Sequence, residues 1–435
     1  MSYEPEPADD PQPGVGYRTY EVYQRERVGE TTNLIKPSEL ISERYVADPY
    51  PLVKTLRENY PCFRDWLGNR FWITRYDDVT SVFTDDANFE SRSKRWFYGE
   101  PDLGRDLGDE LPVLWARARR LGDSFTPVLE RILDELDDGP DNEPVDLAVR
   151  LAGRLPLEAW GHVLNLPPGD LALFASRYWR MQRGWRWDPR AQHDGRAALD
   201  ELVAYFEPLV ASRRSDPGDD LISALASLEL GRRPTSALDL VVTLLEFDHE
   251  TLHGALANLW FQLLTNPDQL DIVASDRRLM KFAYLETLRH SPPVLSADRF
   301  ARHEVERFGR LLPEGALLHC SAAAANRDPR QFAEPDVFRV DRTDMCQREP
   351  RGQYRADGLP AGIAFGMGKP TRHPAVPKER PVSHYALTRD LAVRASNLLL
   401  DRYPHIRLAA GAQPELRSLR LGEMHTCWSL PTILA

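Results

Sequence analysis

The stretch on which the interpretation of this chain depends is residues 364–374, which read Ala-Phe-Gly-Met-Gly-Lys-Pro-Thr-Arg-His-Pro. Prolines at positions 374, 377 and 381 follow Arg372 closely. Proline lacks the N–H that a helix interior needs, and its ring clashes with the preceding turn. No ordinary helix can therefore begin directly after Arg372, and the last long helix is predicted only from Tyr385 to Arg402, ahead of Pro404.

This stretch resembles the haem-binding loop of the cytochromes P-450, in which a Phe-Gly-x-Gly-x-His-x-Cys-x-Gly run delivers a thiolate to iron. Arg372 stands at the position of the cysteine, and Pro370 stands at the position of the histidine two residues before it. The thiolate pushes electron density into the iron and favours O–O cleavage. The resemblance therefore implies a haem site without the electronic basis of monooxygenation, in a loop that the prolines have rebuilt.

Further motifs extend the resemblance over nearly the whole chain after its first residues. They lie at residues 48–51, 72–79, 286–289, 325–329 and 335–342, in the order in which the family has them. The chain is identified as a member of the cytochrome P-450 superfamily that lacks the haem-ligating cysteine. The implied fold class is mainly α with small β-sheets, the cytochrome P-450 fold. The resemblance also implies a structural ion cluster of Glu286, Arg289 and Arg342, because buried charges persist only when paired.

Local patterns indicate helices separated by short strands. A strand is predicted at residues 71–74, a helix capped by Asp77 and Asp78 follows it, and one long helix is predicted over 236–265, where Pro267 marks its end. Residues 1–16 carry four prolines and four acidic residues, a composition that cannot bury apolar surface, so a disordered tail is predicted there. Residues 17–435 contain no Gly/Ser linker and are predicted to form a single domain.

Composition and charge limit the classes of partner that are expected for this chain. The net charge is −11 and the isoelectric point is near 5.6, which argues against a general nucleic-acid surface. The N-terminus lacks the apolar stretch of a signal or a membrane anchor. The four cysteines are scattered without CxxC pairing, as suits a reducing compartment. A cytoplasmic protein without nucleic-acid or membrane partners is predicted.

The positions that hold the haem propionates in the family are only partly retained. The resemblance places Trp115 at the family's histidine, and Arg119 and Arg299 at two of its arginines. The cofactor-binding candidates, should haem be bound, are therefore Arg119, Arg299, Arg372 and His373.

The predicted central helix carries the candidate catalytic residues. Residues 246–252 align with the family's Ala-Gly-His-Glu-Thr-Thr segment, in which small residues leave room for dioxygen. Glu250 and Thr251 retain the acid and the alcohol that help to deliver protons there, but Phe247 and Asp248 replace the small pair. Asp248 is predicted to be a general acid or base, because a carboxylate in an apolar cavity should have a raised pKa. The residues predicted to line the pocket are Phe247, Leu252 and Trp115.

The same helix contains a zinc-type His-Glu-x-x-His pattern at residues 249–253, with Glu246 three residues ahead of it. At about 100° per residue, Phe247, Asp248 and Thr251 cluster on one side of the helix, and the two histidines point roughly the opposite way. If the resemblance sets the orientation of the helix, they face away from the cofactor pocket. Polar packing between helices is therefore preferred to a zinc hydrolase, and no metal is predicted.

Replacement axial ligands are the next alternative. His373, His384 and Tyr385 lie in or beside the rebuilt loop, and histidine and tyrosine ligate haem in other protein classes. The composition of the loop favours surface residues instead. Cys346 lies so far upstream that its use as a ligand would need a large rearrangement.

Three functions follow from these observations. The first is a haem-free protein, without a cofactor, that binds and transforms a small organic metabolite non-oxidatively in a specialised-metabolite pathway. The second is a non-catalytic helper partner of a tailoring enzyme such as a glycosyltransferase, the role of some cysteine-less relatives. The third is a haem-dependent oxidoreductase with a non-cysteine ligand, in which the basic residues 117–120 dock an acidic redox partner. Fold-level analogy alone does not decide among them.

Overall fold

The computed structural model describes residues 35–60, 62–92, 98, 125–137, 143–184, 188–230, 233–246, 249–344, 384–419 and 423–435. The predicted tail, residues 1–16, lies outside them.

The described helices follow one another along most of the chain. In chain order they are α1 (Glu43–Ala47), α2 (Tyr50–Asn59), α3 (Tyr76–Thr84), α4 (Thr126–Asp137), α5 (Leu155–Val163), α6 (Leu171–Arg183), α7 (Pro189–Ser215), α8 (Leu221–Ala226), α9 (Ala237–Glu246), α10 (His249–Thr265), α11 (Pro267–Ser275), α12 (Met280–His290), α13 (Ala322–Ala325) and α14 (His384–Arg402). Short 3-10 turns lie at Pro37–Ile41, Pro168–Asp170 and Arg277–Leu279, and a π-helical turn at Ala148–Gly153. Among the described residues, none of the helices is both long enough and apolar enough to cross a membrane.

The described strands are short. They are β1 (Cys62–Asp65), β2 (Arg70–Ile73), β3 (Phe89–Glu90), β4 (Val145–Asp146), β5 (Glu229–Leu230), β6 (Arg233–Pro234), β7 (Ser296–Ala301), β8 (Val305–Arg307), β9 (Arg310–Leu312), β10 (Leu317–Ser321), β11 (Arg407–Leu408), β12 (Glu415–Leu419), β13 (Met424–Ser429) and β14 (Pro431–Ile433). Three two-stranded hairpins pair β5 with β6, β8 with β9 and β12 with β13.

The chain forms two compact units. The first takes Met1–Ser91, Leu285–Arg372 and Leu416–Thr426, and the second takes Arg92–Tyr284, His373–Glu415 and Cys427–Ala435. Each unit draws on three separate segments, so neither is a continuous domain of the sequence. The single domain proposed for residues 17–435 stays a prediction.

The first unit is built on a five-stranded sheet of order β1-β2-β10-β7-β3. β2 and β10 run parallel, with Phe71 opposite Leu318, and the other neighbours are antiparallel. Parallel neighbours require a crossover connection, which the chain supplies between two distant segments. The apolar core beside this sheet comprises Ile35, Leu40, Tyr45, Leu52, Val53, Leu56, Phe63, Trp72, Leu295, Ala323 and Ala324.

The start of α3 differs from the prediction. Its N-cap residue is Arg75, whose side chain makes no capping hydrogen bond, and Asp77 and Asp78 lie inside the first turn. The N–H of Tyr76 instead donates to Asp328 Oδ2 over 3.1 Å. A buried carboxylate from a distant segment therefore replaces the local cap, while the two acidic residues favour the positive end of the helix dipole.

The second unit is helical apart from small sheets, of which one has the order β11-β14-β4. Helices α5, α6, α7, α8 and α9 contribute to one buried apolar cluster. In α6 this burial recurs at Phe174, Tyr178 and Met181, the spacing of a single helix face. The helix predicted over residues 236–265 is described as two helices, α9 and α10, and residues 247–248 lie outside the described part of the chain.

Candidate functional site

The ion cluster of the first unit comprises Glu286, Arg289 and Arg342. Arg289 Nε lies 2.7 Å from Glu286 Oε2 and its Nη2 lies 2.7 Å from Oε1, while Arg342 Nε lies 2.8 Å from the same Oε1. The three side chains are 0%, 1% and 4% exposed for Arg289, Glu286 and Arg342. Burial lowers the pKa of Arg289, against the pull of Glu286. Arg342 therefore joins the neighbouring Glu286 and Arg289 of α12 in one buried group of charges.

Backbone carbonyls satisfy the remaining donors of this cluster. Arg289 Nη1 donates to the carbonyls of Asn326 (2.9 Å) and Pro335 (2.7 Å). Arg342 Nη2 donates to those of Glu334 (2.7 Å) and Val337 (2.9 Å). A buried charged group is tolerated only with such complete pairing. The cluster thus joins α12 to the segment around residue 337.

Arg299, the candidate for a haem propionate, lies on β7 of the first unit. Its Nη1 donates to the carbonyl of Asp298 over 2.8 Å, and its guanidinium carbon lies 4.4 Å from the centroid of the Phe83 ring. Burial lowers the pKa of Arg299, and the nearby Cys320 and Asp298 act against that shift. Its cationic group therefore lies over an aromatic ring at a distance that suits a cation–π contact.

The last turn of α9 in the second unit is contacted by a side chain that sequence reasoning missed. Gln182 of α6 is fully buried, and its Nε2 donates to the carbonyls of Leu244 (3.0 Å) and Leu245 (3.1 Å). Gln182 therefore ties α6 to the end of α9. Its signal in the sequence is a polar residue four positions after Tyr178, on the buried stripe of α6.

The described part of α10 holds two of the predicted site residues. Thr251 and Leu252 are 4% and 5% exposed. The side chains of residues 246, 249 and 250 lie outside the described part, so the role of Glu250 stays a prediction. The structure thus places Thr251 and Leu252 in the interior of the second unit, at the first turn of α10.

His253, from the zinc-type pattern, packs against an aromatic ring. Its ring centroid lies 6.1 Å from that of Trp428, at an interplanar angle of 51°. Burial lowers the pKa of His253 to about 4, so the imidazole is neutral at pH 7. The described residues contain no group of three or more His, Cys, Asp or Glu side chains that could hold a metal ion.

The described cysteines are buried thiols. Cys62 lies on β1, Cys320 on β10 and Cys427 on β13. Burial raises the pKa of Cys62, and it raises the pKa of Cys320 and of Cys427 to about 12. A thiolate is the form that ligates a metal, and at pH 7 these three groups are protonated. Cys346 lies outside the described residues.

Several predicted site residues also lie outside the described part of the chain, and their roles stay predictions. They are Trp115, Arg119, Phe247, Asp248, Arg372 and His373.

Comparisons with known proteins agree with this architecture. The cytochrome P-450 monooxygenase PikC of Streptomyces venezuelae is 31% identical over 392 residues, which cover 85% of this chain and 87% of PikC. The 6-deoxyerythronolide B hydroxylase of Saccharopolyspora erythraea is 30% identical over 368 residues, which cover 76% of this chain and 87% of the hydroxylase. No protein-family model matches the chain.

A solved structure gives the same result for the fold. The cytochrome P-450 PksS of the Bacillus subtilis 168 bacillaene polyketide synthase superposes with a TM-score of 0.71 at 22% identity, covering 92% of this chain and 100% of PksS. The predicted fold class, mainly α with small sheets, is confirmed. The chain belongs to the cytochrome P-450 superfamily.

Proposed function

We propose that this chain binds a small organic metabolite of a specialised-metabolite pathway and transforms it without oxidative haem chemistry. The observation that carries the proposal is Arg372 at the position of the ligand cysteine, in a sequence with no cysteine between Cys346 and Cys427. A guanidinium is always protonated and offers no lone pair to a metal. Arg372 therefore cannot supply the thiolate that favours O–O cleavage.

The other cysteines do not replace it. Cys62, Cys320 and Cys427 lie on strands, are buried, and have raised thiol pKa values. The described residues thus fit one part of a haem, since Arg299 could pair with a propionate, and fail to fit the iron ligand. The proposed reaction does not use haem.

The similar proteins support a small-molecule substrate. PikC is a monooxygenase, and the second relative is a hydroxylase of 6-deoxyerythronolide B. The names of both relatives denote oxidative reactions. Arg372 at the position of the ligand cysteine is the reason for proposing a different reaction here. We infer that the chain retains the binding of a small molecule and has changed the reaction.

The proposed acid or base is Asp248. It replaces a small residue of the family pattern, two positions before Glu250 and three before Thr251. A carboxylate placed in an apolar cavity has its pKa raised by desolvation, which suits proton transfer near neutral pH. Asp248 would move a proton at its carboxylate oxygen, while Thr251, buried on α10, would orient the substrate through its hydroxyl.

The absorbance spectrum of the full chain tests the proposal. The protein is expressed with ample haem precursor and purified, and we expect no stoichiometric Soret band. A stoichiometric band together with a carbonyl adduct characteristic of sulfur coordination would overturn the account. Arg372→Cys in the same preparation is the matched positive variant, since it restores the family's ligand at that position.

A second candidate is a haem oxidoreductase with a non-cysteine ligand, favoured by the placement of Arg299 on Phe83. It expects a Soret band in the wild-type protein that His373→Ala shifts and Arg372→Ala does not. An unchanged spectrum in His373→Ala removes His373 as the ligand.

A further inference from the structure

A cavity of about 320 Å³ lies in the second unit, between the start of α12 and the middle of α14. Its lining residues are Lys281, Arg389, Asp390, Val393, Arg394 and Asn397. Five of them come from α14 at spacings of one, three and four residues, so they share one helix face. The volume falls in the range of about 300–1,000 Å³ that is usual for small-molecule sites.

The lining is predominantly cationic, with three basic side chains and one carboxylate. Asp390 is already engaged, because its Oδ1 lies 2.8 Å from Arg389 Nη2. Arg394 donates to the hydroxyl of Thr126 through one nitrogen, Nη2. Lys281 is exposed and makes no ion pair with any described residue. The four charges sum to two positive charges around one concave surface.

One polar atom of the lining lacks a partner. Asn397 Oδ1 is buried and accepts no hydrogen bond from the described residues. Leaving a buried acceptor unsatisfied is costly, so native structures rarely do so without water, an ion or a ligand. A donor hydroxyl brought by a ligand would satisfy it. The charges and the free acceptor of the cavity therefore suit a molecule that carries both an anionic group and a hydroxyl group.

We propose that this cavity binds a phosphate monoester of a hydroxylated small molecule. The phosphoryl oxygens accept hydrogen bonds from Lys281, Arg389 and Arg394, and a hydroxyl of the organic part donates to Asn397 Oδ1. A phosphate monoester carries about −1.5 to −2 charges at pH 7, which matches the excess of positive charge. Arginine forks suit phosphate geometry.

Calorimetric titration of the full chain tests this site, with ribose 5-phosphate, inorganic phosphate and sulfate as the probes, in about 0.15 M NaCl to screen exposed charges. We expect ribose 5-phosphate to bind more tightly than either ion. The double variant Lys281→Gln/Arg389→Gln should weaken its binding about tenfold or more, because two charge-assisted hydrogen bonds are lost. The matched control is Lys54→Gln/Arg196→Gln, which removes two exposed cations of the same types. It should leave the affinity unchanged within about twofold.

Asn397→Asp is the second variant, since it keeps the volume of the side chain and adds a repelling carboxylate. It should weaken ribose 5-phosphate about tenfold or more even if the cationic double variant proves unstable. Three outcomes overturn the proposal. Equal affinity for all three probes means an adventitious ion only. Equal losses in the double variant and its control mean general surface charge. Tight binding of polyglutamate without competition by ribose 5-phosphate means a surface for an acidic protein.

Discussion

The ion cluster of the first unit and the cofactor-side segments, residues 246–252 and 364–374, differ in how far they keep the family pattern. Glu286, Arg289 and Arg342 are all retained, and backbone carbonyls complete their pairing. At the positions that the resemblance aligns with the family's small pair and ligand cysteine, the sequence has Phe247, Asp248 and Arg372. Removing one member of a buried ion group leaves an uncompensated buried charge and costs stability. We therefore expect substitutions in the ion cluster to cost more stability than a substitution of Arg372.

The largest expected effect comes from breaking the retained region. Glu286→Gln should lower the free energy of unfolding by about 4 kcal/mol, because two buried guanidinium groups lose their common partner. Urea denaturation followed by circular dichroism measures the change. The control is Lys54→Gln, whose pair with Asp336 is 59% and 51% exposed. An exposed pair is worth about 0.5 kcal/mol, so comparable losses in the two variants would contradict the assigned role of the cluster.

Sequence reasoning reached the parts of the molecule that depend on local motifs. The last long helix, predicted from Tyr385 to Arg402, is α14, and the strand predicted at residues 71–74 is β2, each shifted by no more than one residue. The motif residues Glu286, Arg289 and Arg342 meet in the structure. Such features are fixed by periodicity and by the cost of unpaired buried charge, which a single sequence carries.

Features that depend on contacts between distant segments escaped it. The cap of α3 comes from Asp328, more than 250 residues away. Gln182, which donates to two carbonyls in the last turn of α9, belongs to another helix. Neither interaction leaves a local signal beyond one polar residue on a buried stripe, because the partner is chosen by tertiary packing.

Substituting Gln182 tests the contact between α6 and the end of α9. Gln182→Leu should lower the free energy of unfolding by about 3 kcal/mol, since two buried carbonyls each lose a donor that leucine cannot replace. Hydrogen exchange should also change at the start of α10. The control is Gln269→Leu, because Gln269 Nε2 donates to the carboxylate of the neighbouring Asp268. If both variants lose the same stability, Gln182 has no special role at the end of α9.

The burial of His253 on α10 predicts that the stability of the chain depends on pH. The folded pKa of His253 is about 4, against an ordinary value of 6.5, so protonation favours the unfolded chain. Its contribution is complete above pH 6.5 and declines as the pH falls towards 4, by about 2 kcal/mol between pH 7 and 5. His290, His319 and His425 are also depressed by burial and add to the slope in the same direction.

Comparing variants isolates the share of His253. Urea denaturation of His253→Phe at pH 7 and pH 5 should show a smaller loss than the wild type by about 2 kcal/mol. The exposed His193 on α7 provides the control, and His193→Gln should keep the wild-type difference. An unchanged slope in His253→Phe would mean that the imidazole is not buried as a neutral group.

The smallest expected effect is at the position where the family pattern is lost. Arg372→Ala should change the free energy of unfolding by no more than about 0.5 kcal/mol, as for substitutions away from buried networks. Thermal unfolding beside Glu286→Gln measures this on one scale. A loss comparable to that of Glu286→Gln would mean that Arg372 has become part of the structural framework. The contrast between the two regions would then fail, because the residue at the aligned ligand position would contribute to stability as the ion cluster does.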